Sequence, residues 1–292
     1  MNKIAESDLI LNEDGSIYHL NLHPEDIAPL VITVGDMDRV AEVSKHFDHI
    51  ELKKGKREFI THTGTLGSKR ITVISTGIGT DNIDIVFNEL DALVNIDFET
   101  RTIKSKHTSL SIIRVGTSGA IQEDIPMGTI LASTFGLGFD ALMHFYEQTN
   151  NAEEQYLLNK IGTHFSQIAG LKPYLTQASS KLLAHFAPEF EKGITVTSPG
   201  FYAPQGRQVR AQNKVPNLIH ELQSFSYKEH RITNLEMETA GIYALANALG
   251  HEALSVNAIL ASRVKLEFSQ HPQKIVDKAI QEVLEKIATY QL

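Results

Sequence analysis

The chain carries the stretch EFITHTGTLGSKRITVIST at residues 58–76. Two runs rich in β-branched residues, 58–63 and 70–76, flank a short segment at 64–68 that contains two glycines. This pattern is typical of a β-hairpin, because β-branched side chains favour strands and glycine permits the turn. An antiparallel hairpin does not belong in a purely parallel Rossmann sheet, so the stretch predicts a mixed β-sheet.

Strands and helices alternate on both sides of this hairpin. Short apolar runs predict buried strands at 30–34, 111–115, 129–133, 194–197 and 253–260. Helical spacing predicts helices that end near Phe47, that include 83–94 and 238–249, and that begin at Pro272. The alternation predicts an α/β protein, a three-layer α/β/α sandwich with a central mixed β-sheet. No linker or repeat interrupts it, so a single domain, 1–292, is expected.

The composition is that of a globular protein and disfavours several other classes. Hydrophobic residues make up 42% and charged residues 21% of the 292 residues. The net charge of −8, from 27 basic and 35 acidic side chains, disfavours a nucleic-acid partner. Without cysteine there are no disulfides and no cysteine-based zinc sites. Because the sequence shows no signal peptide and no segment long enough to span a bilayer, we expect a cytoplasmic protein with no membrane partner.

The motif NLEMETAG, at 234–241, is the most informative candidate for a functional site. It places Glu236, Met237 and Glu238 at the start of an apolar helical run that ends at Gly250. Paired carboxylates can accept hydrogen bonds from vicinal hydroxyls, as on a ribose, and a thioether can pack under the flat sugar. Acidic residues also favour helix N-termini for electrostatic reasons alone, so the motif by itself leaves both interpretations open.

Two glycine-containing segments that follow predicted strands are candidates for anion binding. In VGDMDR, Gly35 offers a backbone amide, and Arg39 offers a planar guanidinium that can pair with two phosphate oxygens. In IRVGTSGA, Arg114 lies within an apolar strand, and Thr117 adds a hydroxyl. A buried arginine needs a partner, which is either a bound phosphate or a structural carboxylate. Neither segment fits a dinucleotide-binding or P-loop pattern.

The segment FYAPQGR, at 201–207, carries groups that suit a flat heterocycle. Phe201 can stack on a base, and the carboxamide of Gln205 offers both a donor and an acceptor to the edge of uracil. Arg207 adds a charged donor. The same composition is also typical of a surface loop.

Taken in order, VITVGDMDRV, KREF, IRVGTSGA, FYAPQGR and NLEMETAG resemble the nucleoside phosphorylase superfamily, and within it the uridine phosphorylases. The resemblance runs from His19 to about Arg263. It implies a nucleoside phosphorylase-like fold, a pentosyltransferase that converts uridine and phosphate to uracil and ribose 1-phosphate, and no organic cofactor. The catalytic residues that it implies are Arg114, Glu238 and Arg207. The implied phosphate site is Gly35, Arg39, Arg57, Arg114 and Thr117; the ribose site is His19, Glu236, Met237 and Glu238; the base site is Phe201, Gln205, Arg207 and Arg263.

The resemblance also implies an assembly. His19 and Arg57 match residues that complete the site of a neighbouring subunit, so a homodimer, or a homohexamer built from three dimers, is expected. Glu58, Ile71 and Ser75 match positions that hold a monovalent cation such as K⁺ at the dimer interface, and oxygen ligands suit such an ion.

Other functions stay open at this point. Purine-specific relatives carry an aspartate near the position of Arg263, whereas the segment LASRVK has no acid before Glu267, which favours a pyrimidine nucleoside over a purine nucleoside phosphorylase. A nucleosidase, which uses water, needs no set of phosphate-binding arginines. A non-catalytic nucleoside-binding protein is the third alternative. The expected role is salvage and catabolism of pyrimidines, and the polar stretch 95–109 has no assigned role.

Overall fold

The computed structural model describes residues 3–291. The strands are β1 (Leu30–Val34), β2 (His49–Lys56), β3 (Phe59–Leu66), β4 (Lys69–Ser75), β5 (Ile96–Asp97), β6 (Thr102–Ile103), β7 (Ser111–Ala120), β8 (Ile130–Gly138), β9 (Tyr174–Gln177), β10 (Glu191–Thr197), β11 (Ser226–Tyr227), β12 (His230–Glu236), β13 (Glu252–Ser262) and β14 (Glu267–Phe268). The α-helices are α1 (Met37–Ser44), α2 (Thr80–Asn95), α3 (Ala152–His164), α4 (Ser180–Phe186), α5 (Leu218–Ser224), α6 (Thr239–Leu249) and α7 (Pro272–Thr289).

One large mixed sheet connects twelve of these strands in the order β11-β12-β10-β8-β13-β7-β1-β4-β3-β2, with β9 added beside β8 and β14 beside β13. The predicted hairpin is present as β3 and β4, which pair antiparallel from Thr61 with Ile74 to Leu66 with Lys69. Strand β4 also pairs in parallel with β1. The sequence-based prediction of an α/β fold with a central mixed sheet is therefore confirmed.

Half of this sheet closes on itself. Strand β12 pairs antiparallel with β7, at Asn234 with Ala120 and at Leu235 with Gly119, in addition to its parallel pairing with β10. The five strands β7, β13, β8, β10 and β12 therefore form a closed barrel. The sequence did not predict this closure.

Several predicted element boundaries differ from those in the structure. Strand β7 continues five residues beyond the predicted end at 115, and β8 continues beyond 133 to Gly138. Glycine allows the longer β8, because a Cβ at Gly136 would lie 2.6 Å from the Cα of Ala240 in α6. Strand β12, which carries Glu236 at its end, was not predicted. The first helix ends at Ser44, before the predicted Phe47.

The polar stretch 95–109 is joined to the N-terminal segment by hydrogen bonds. It forms the small hairpin of β5 and β6, and the Arg101 guanidinium donates hydrogen bonds to the carbonyl oxygens of Ile4 and Ala5 at 3.0 Å and to that of Leu9. None of the helices within residues 3–291 combines the length and apolarity that a membrane span requires.

Candidate active site

A cavity of about 800 Å³ lies where the closed barrel meets the segments that follow β1 and β4. Most of the residues singled out in the sequence line it: Gly35, Arg39, Arg114, Thr117, Phe201, Gln205, Arg207, Glu236, Met237 and Glu238. These residues come from four separate sequence motifs. Folding therefore brings the candidate phosphate, ribose and base groups together in one space.

One end of the cavity is cationic. Arg39 is half-buried in the first turn of α1, and within residues 3–291 it makes no ion pair. Burial lowers the pKa of Arg39, and the nearby charge of Arg114 lowers it further. Gly35 and Thr117 line the same cavity. Two neighbouring guanidinium groups, one of them unpaired, are suited to a doubly charged anion such as phosphate.

Arg114 is held in place at this end by its own backbone neighbour and by two acids. Its guanidinium lies directly over Gly116, where a Cβ would be 1.6 Å from Nη1. Nη2 contacts Glu238 Oε2 at 2.5 Å and Glu236 Oε2 at 3.1 Å. Burial opposes the charge of Arg114, but the two carboxylates outweigh it and raise its pKa. The structural carboxylate that the sequence left as an alternative is thus present, and it belongs to the candidate ribose site.

The two acids of NLEMETAG have different environments. Glu236 accepts hydrogen bonds from the Thr197 hydroxyl at 2.7 Å, from the Glu238 amide at 2.9 Å and from the Thr239 amide at 3.0 Å. Its oxygens therefore cap the start of α6 and balance Arg114, which is the helix N-terminal interpretation that the sequence left open. A direct contact of Glu236 with ribose hydroxyls is correspondingly less favoured.

Glu238 keeps acceptor capacity toward the cavity. One oxygen accepts from the Gly79 amide at 2.8 Å and the other from Arg114. Each carboxylate oxygen has two lone pairs, so both can accept a further hydroxyl. Burial raises the pKa of Glu238, and Arg114 opposes that shift. Glu238 and Arg114 form an ion pair, because both Glu238 oxygens accept N–H donors, one of them from the guanidinium. Met237 is half-buried beside it on the cavity wall.

The other end of the cavity holds the FYAPQGR side chains. Arg207 stacks over the Phe201 ring, 3.8 Å from its centroid, and donates hydrogen bonds to the Gln205 side-chain oxygen at 2.6 Å and to the Phe201 carbonyl at 2.8 Å. Gln205 is buried, whereas half of Phe201 is exposed. Burial and the neighbouring Arg263 lower the pKa of Arg207 to about 10.

Arg263 lies just behind this group and is not among the cavity-lining residues. Its stem packs against Gly119, where a Cβ would be 3.1 Å from the arginine Cγ. Its Nη1 is buried and has no hydrogen-bond partner among the described residues 3–291. Burial lowers the pKa of Arg263. A buried guanidinium nitrogen without an acceptor is costly, which is a reason to expect an acceptor from a ligand at this end.

Arg57 and His19 are not among the residues that line this cavity. Arg57 is exposed at the turn between β2 and β3, with a φ of +56°. His19 donates its backbone amide to Glu89, and its Nδ1 lies 2.6 Å from the same carboxylate. A role for either residue in the cavity of its own chain is not supported, and a role in a neighbouring subunit stays a prediction.

The three candidate cation ligands do not converge within one chain. The Ser75 hydroxyl donates to the Glu58 carbonyl at 2.5 Å, and Glu58 also lines the cavity. Ile71 lies four residues earlier on β4, about 13 Å away at the rise of a β-strand. A cation shared by all three would need a second arrangement, such as a subunit interface, and stays a prediction.

A group of possible metal ligands within residues 3–291, Asp91, His107 and His251, lies at the opposite end of the sheet from the cavity. The Leu110 amide donates to His251 Nδ1 at 3.1 Å, so the neutral ring carries its proton on Nε2. That nitrogen faces Asp91 Oδ1 at 3.3 Å, though poorly aligned for a hydrogen bond. The ring has no lone pair left for a metal, and the group is an Asp–His pair.

Sequence reasoning missed part of the cavity wall. The additional lining residues are Asp36, Met37, Gly77, Ile78, Asn82, Ser118, Gly119, Leu235, Leu260, Ala261 and Phe268, and Glu58, which was predicted only as a cation ligand, also lines the cavity. Some of these flank motifs that had been recognised. Phe268 gave no signal, because it reaches the cavity only through the short antiparallel pairing of β14 with β13.

Comparison with known proteins agrees with this geometry. The family model of the phosphorylase superfamily matches residues 29–289. The uridine phosphorylase of Thermococcus kodakarensis is 29% identical over 277 residues, 94% of this chain and 87% of that protein. The uridine phosphorylase of Escherichia coli is 27% identical over 284 residues, 92% of this chain and 98% of that protein.

The fold is also similar to that of a solved structure. A Trypanosoma brucei nucleoside phosphorylase, described as showing uridine phosphorylase activity, superposes with a TM-score of 0.84 at 28% identity, and covers 97% of this chain and 100% of its own. The chain belongs to the phosphorylase superfamily. The enzyme class expected from the sequence, a pentosyltransferase of the nucleoside phosphorylase type, is confirmed.

Proposed function

We propose that this chain is a uridine phosphorylase, which converts uridine and phosphate reversibly to uracil and ribose 1-phosphate. The observation that carries the proposal is the pair of guanidinium groups at the end of the cavity opposite Arg39 and Arg114. Arg207 lines the cavity there, and Arg263 lies just behind it with a buried nitrogen that has no hydrogen-bond partner among residues 3–291. Uracil presents two carbonyl oxygens, which suit such donors. The names of the T. kodakarensis and E. coli relatives support the same substrate.

The chemistry requires charge stabilisation at both ends of the cavity. The bond between C1′ and N1 breaks and leaves its electron pair on the uracil ring, while a phosphate oxygen forms the new bond to C1′. The negative charge that develops spreads to the uracil oxygens, where Arg207 and Arg263 would stabilise it. Gln205 would fix the orientation of the base. A proton from solvent restores neutral uracil after the bond has broken.

The phosphate and ribose groups act mainly by positioning. Arg39 and Arg114, with the Gly35 amide and the Thr117 hydroxyl, would hold phosphate below C1′, so that its oxygen attacks from a fixed position. Glu238 would accept the ribose hydroxyls above the half-buried Met237. Glu236 would act through Glu238, since its contacts hold the start of α6.

The base end favours a pyrimidine. The acids that line the cavity are Asp36, Glu58, Glu236 and Glu238, and the last two contact Arg114, at the phosphate end. No acid among the lining residues is in contact with Arg207 to protonate a purine N7. Cytidine is disfavoured, because its 4-amino group would present a donor to arginines that can only donate.

We also propose a homodimer as the smallest active unit, with the hexamer of three dimers as the larger form. His19, which is fixed on Glu89, and the exposed Arg57 would complete the neighbour's site. The K⁺ site at the interface and a cytoplasmic role in pyrimidine salvage belong to the same proposal.

One assay tests the function directly. Purified protein is incubated with uridine, with and without phosphate, and free uracil and ribose 1-phosphate are measured. We expect uracil release that depends on phosphate. Release without phosphate would indicate a nucleosidase, and no release would indicate a binding protein. Specificity constants for uridine, 2′-deoxyuridine, thymidine, cytidine and inosine then test the base, and inosine as the best substrate would contradict the pyrimidine assignment.

A further inference from the structure

A chain of buried polar side chains runs through the closed barrel. Each of the five strands contributes one residue: Asn257 from β13, Ser133 from β8, Thr195 from β10, Asn234 from β12 and Ser118 from β7. All five are buried, and four of them have no exposed surface. Polar groups in such a position are expected only where their hydrogen bonds fix a particular arrangement.

The hydrogen bonds of this polar chain have one consistent direction. The Thr195 hydroxyl donates to Asn234 Oδ1 at 2.8 Å, so it accepts the proton of the Ser133 hydroxyl, 2.5 Å away. The Ser133 oxygen in turn accepts from Asn257 Nδ2 at 3.0 Å. The amide of Asn257 can therefore face only one way. The side-chain oxygen of Asn257 therefore faces Arg114 and accepts a hydrogen bond from Nη1 at 3.1 Å.

Asn257 holds the part of Arg114 that the acids do not contact. Glu236 and Glu238 both contact Nη2, whereas Asn257 contacts Nη1. The acids are charged and compete with an anion for the guanidinium. The amide oxygen of Asn257 is neutral, so it fixes the guanidinium without cancelling its charge.

We infer that Asn257 is a positioning residue for phosphate, which acts through Arg114. The inference rests on the proposed phosphate site. With Asn257 in place, Arg114 stays over Gly116 when the ribose hydroxyls draw Glu238 away. Without it, the guanidinium is held by the two carboxylates and by one long hydrogen bond of 3.5 Å from Nη1 to the Ser255 hydroxyl, and it is displaced toward the ribose side of the cavity.

The test is Asn257→Leu, which keeps a similar volume and removes both hydrogen-bonding groups. We expect the phosphate KM, and the phosphate Kd measured by calorimetry without nucleoside, to rise about tenfold, as for the loss of one hydrogen bond to a charged group. The KM for uridine should stay within about twofold of the wild-type value. Asn257→Ser is a milder second variant, whose hydroxyl is too short to reach Arg114, and the same shift is expected.

The matched control is Thr195→Val, which breaks two hydrogen bonds of the polar chain but does not touch Arg114. It should lower the melting temperature and leave phosphate binding within about twofold. An unchanged phosphate Kd in both Asn257 variants would overturn the inference, as would an equal loss of phosphate and uridine affinity shared with Thr195→Val. The calorimetry needs no turnover, so it tests the role of Asn257 independently of catalysis. If the wild-type protein bound phosphate but did not cleave uridine, the proposed function would be wrong, and the phosphate Kd of the Asn257 variants would still test this inference.

Discussion

Gly116 offers a test of the phosphate site that removes no charged group. Replacing it with alanine puts a Cβ 1.6 Å from Arg114 Nη1 and 2.2 Å from Cζ. Real Cβ atoms essentially never approach a neighbour within 3.0 Å, so Nη1 must move by about 1.4 Å. That displacement is large compared with the tolerance of the 3.1 Å hydrogen bond to Asn257.

The expected loss follows from this displacement. A misplacement of about 1 Å costs roughly 100-fold in rate when a group must align a reactant, so Gly116→Ala should lower kcat/KM for phosphate by about that factor. Overpacking a buried site costs about 1 to 3 kcal/mol of folding stability, which the protein should tolerate. Initial rates at varied phosphate and saturating uridine, together with thermal melting, measure both effects.

The control is Gly162→Ala, in the exposed face of α3. A Cβ there meets nothing within 4 Å. This variant should gain about 0.5 to 1 kcal/mol of stability and keep wild-type kinetics. If Gly116→Ala kept phosphate kinetics within about threefold of the wild type, Arg114 would not be the phosphate-aligning group, and the assignment of this end of the cavity would have to be abandoned.

Three further variants test the other groups of the site. Arg263→Met removes a half-buried guanidinium whose Nη1 is buried without a partner among residues 3–291, so kcat should fall at least tenfold while the melting temperature stays equal or rises. A clear drop in melting temperature would contradict this account. Burial raises the pKa of Glu238 above its ordinary 4.5. As the pH is lowered, kcat/KM for uridine should therefore begin to fall while the pH is still above 4.5, and Glu238→Gln should not show this fall. The pKa of Glu238 is higher in the folded than in the unfolded protein, so protonation of this group favours the folded state. The melting temperature should therefore not fall over the pH range in which activity is lost, and a parallel loss of activity and of folded protein would refute this assignment. Glu89→Ala removes the carboxylate that fixes His19, so activity should fall although no residue that lines the cavity is changed. Full activity in that variant would argue against a role for His19 in a neighbouring subunit.

The parts of the fold that the sequence predicted are those with a strong local pattern. The β3–β4 hairpin, the strand β1 and the amphipathic α7 all follow from the spacing of apolar residues. Strand β12 and the second half of β8 do not show such a pattern. Their inward-facing positions include Asn234 and Gly136, which are typical of loops in isolation. These residues lie in strands only because the barrel closes, and that closure depends on the pairing of segments that are distant in the sequence.

The candidate site follows the same division. Residue types identified the members of the site, but not which of them contact one another. The sequence offered Arg114 either a phosphate or a structural carboxylate as partner, and treated the acids of NLEMETAG as a separate ribose site. In the structure these are one unit, because Arg114 contacts both Glu236 and Glu238. Glu238 can therefore not be drawn toward a sugar without changing the charge balance at Arg114. Phosphate and ribose recognition share a single buried arginine, whose remaining fixed contacts are to the neutral Asn257 and Ser255.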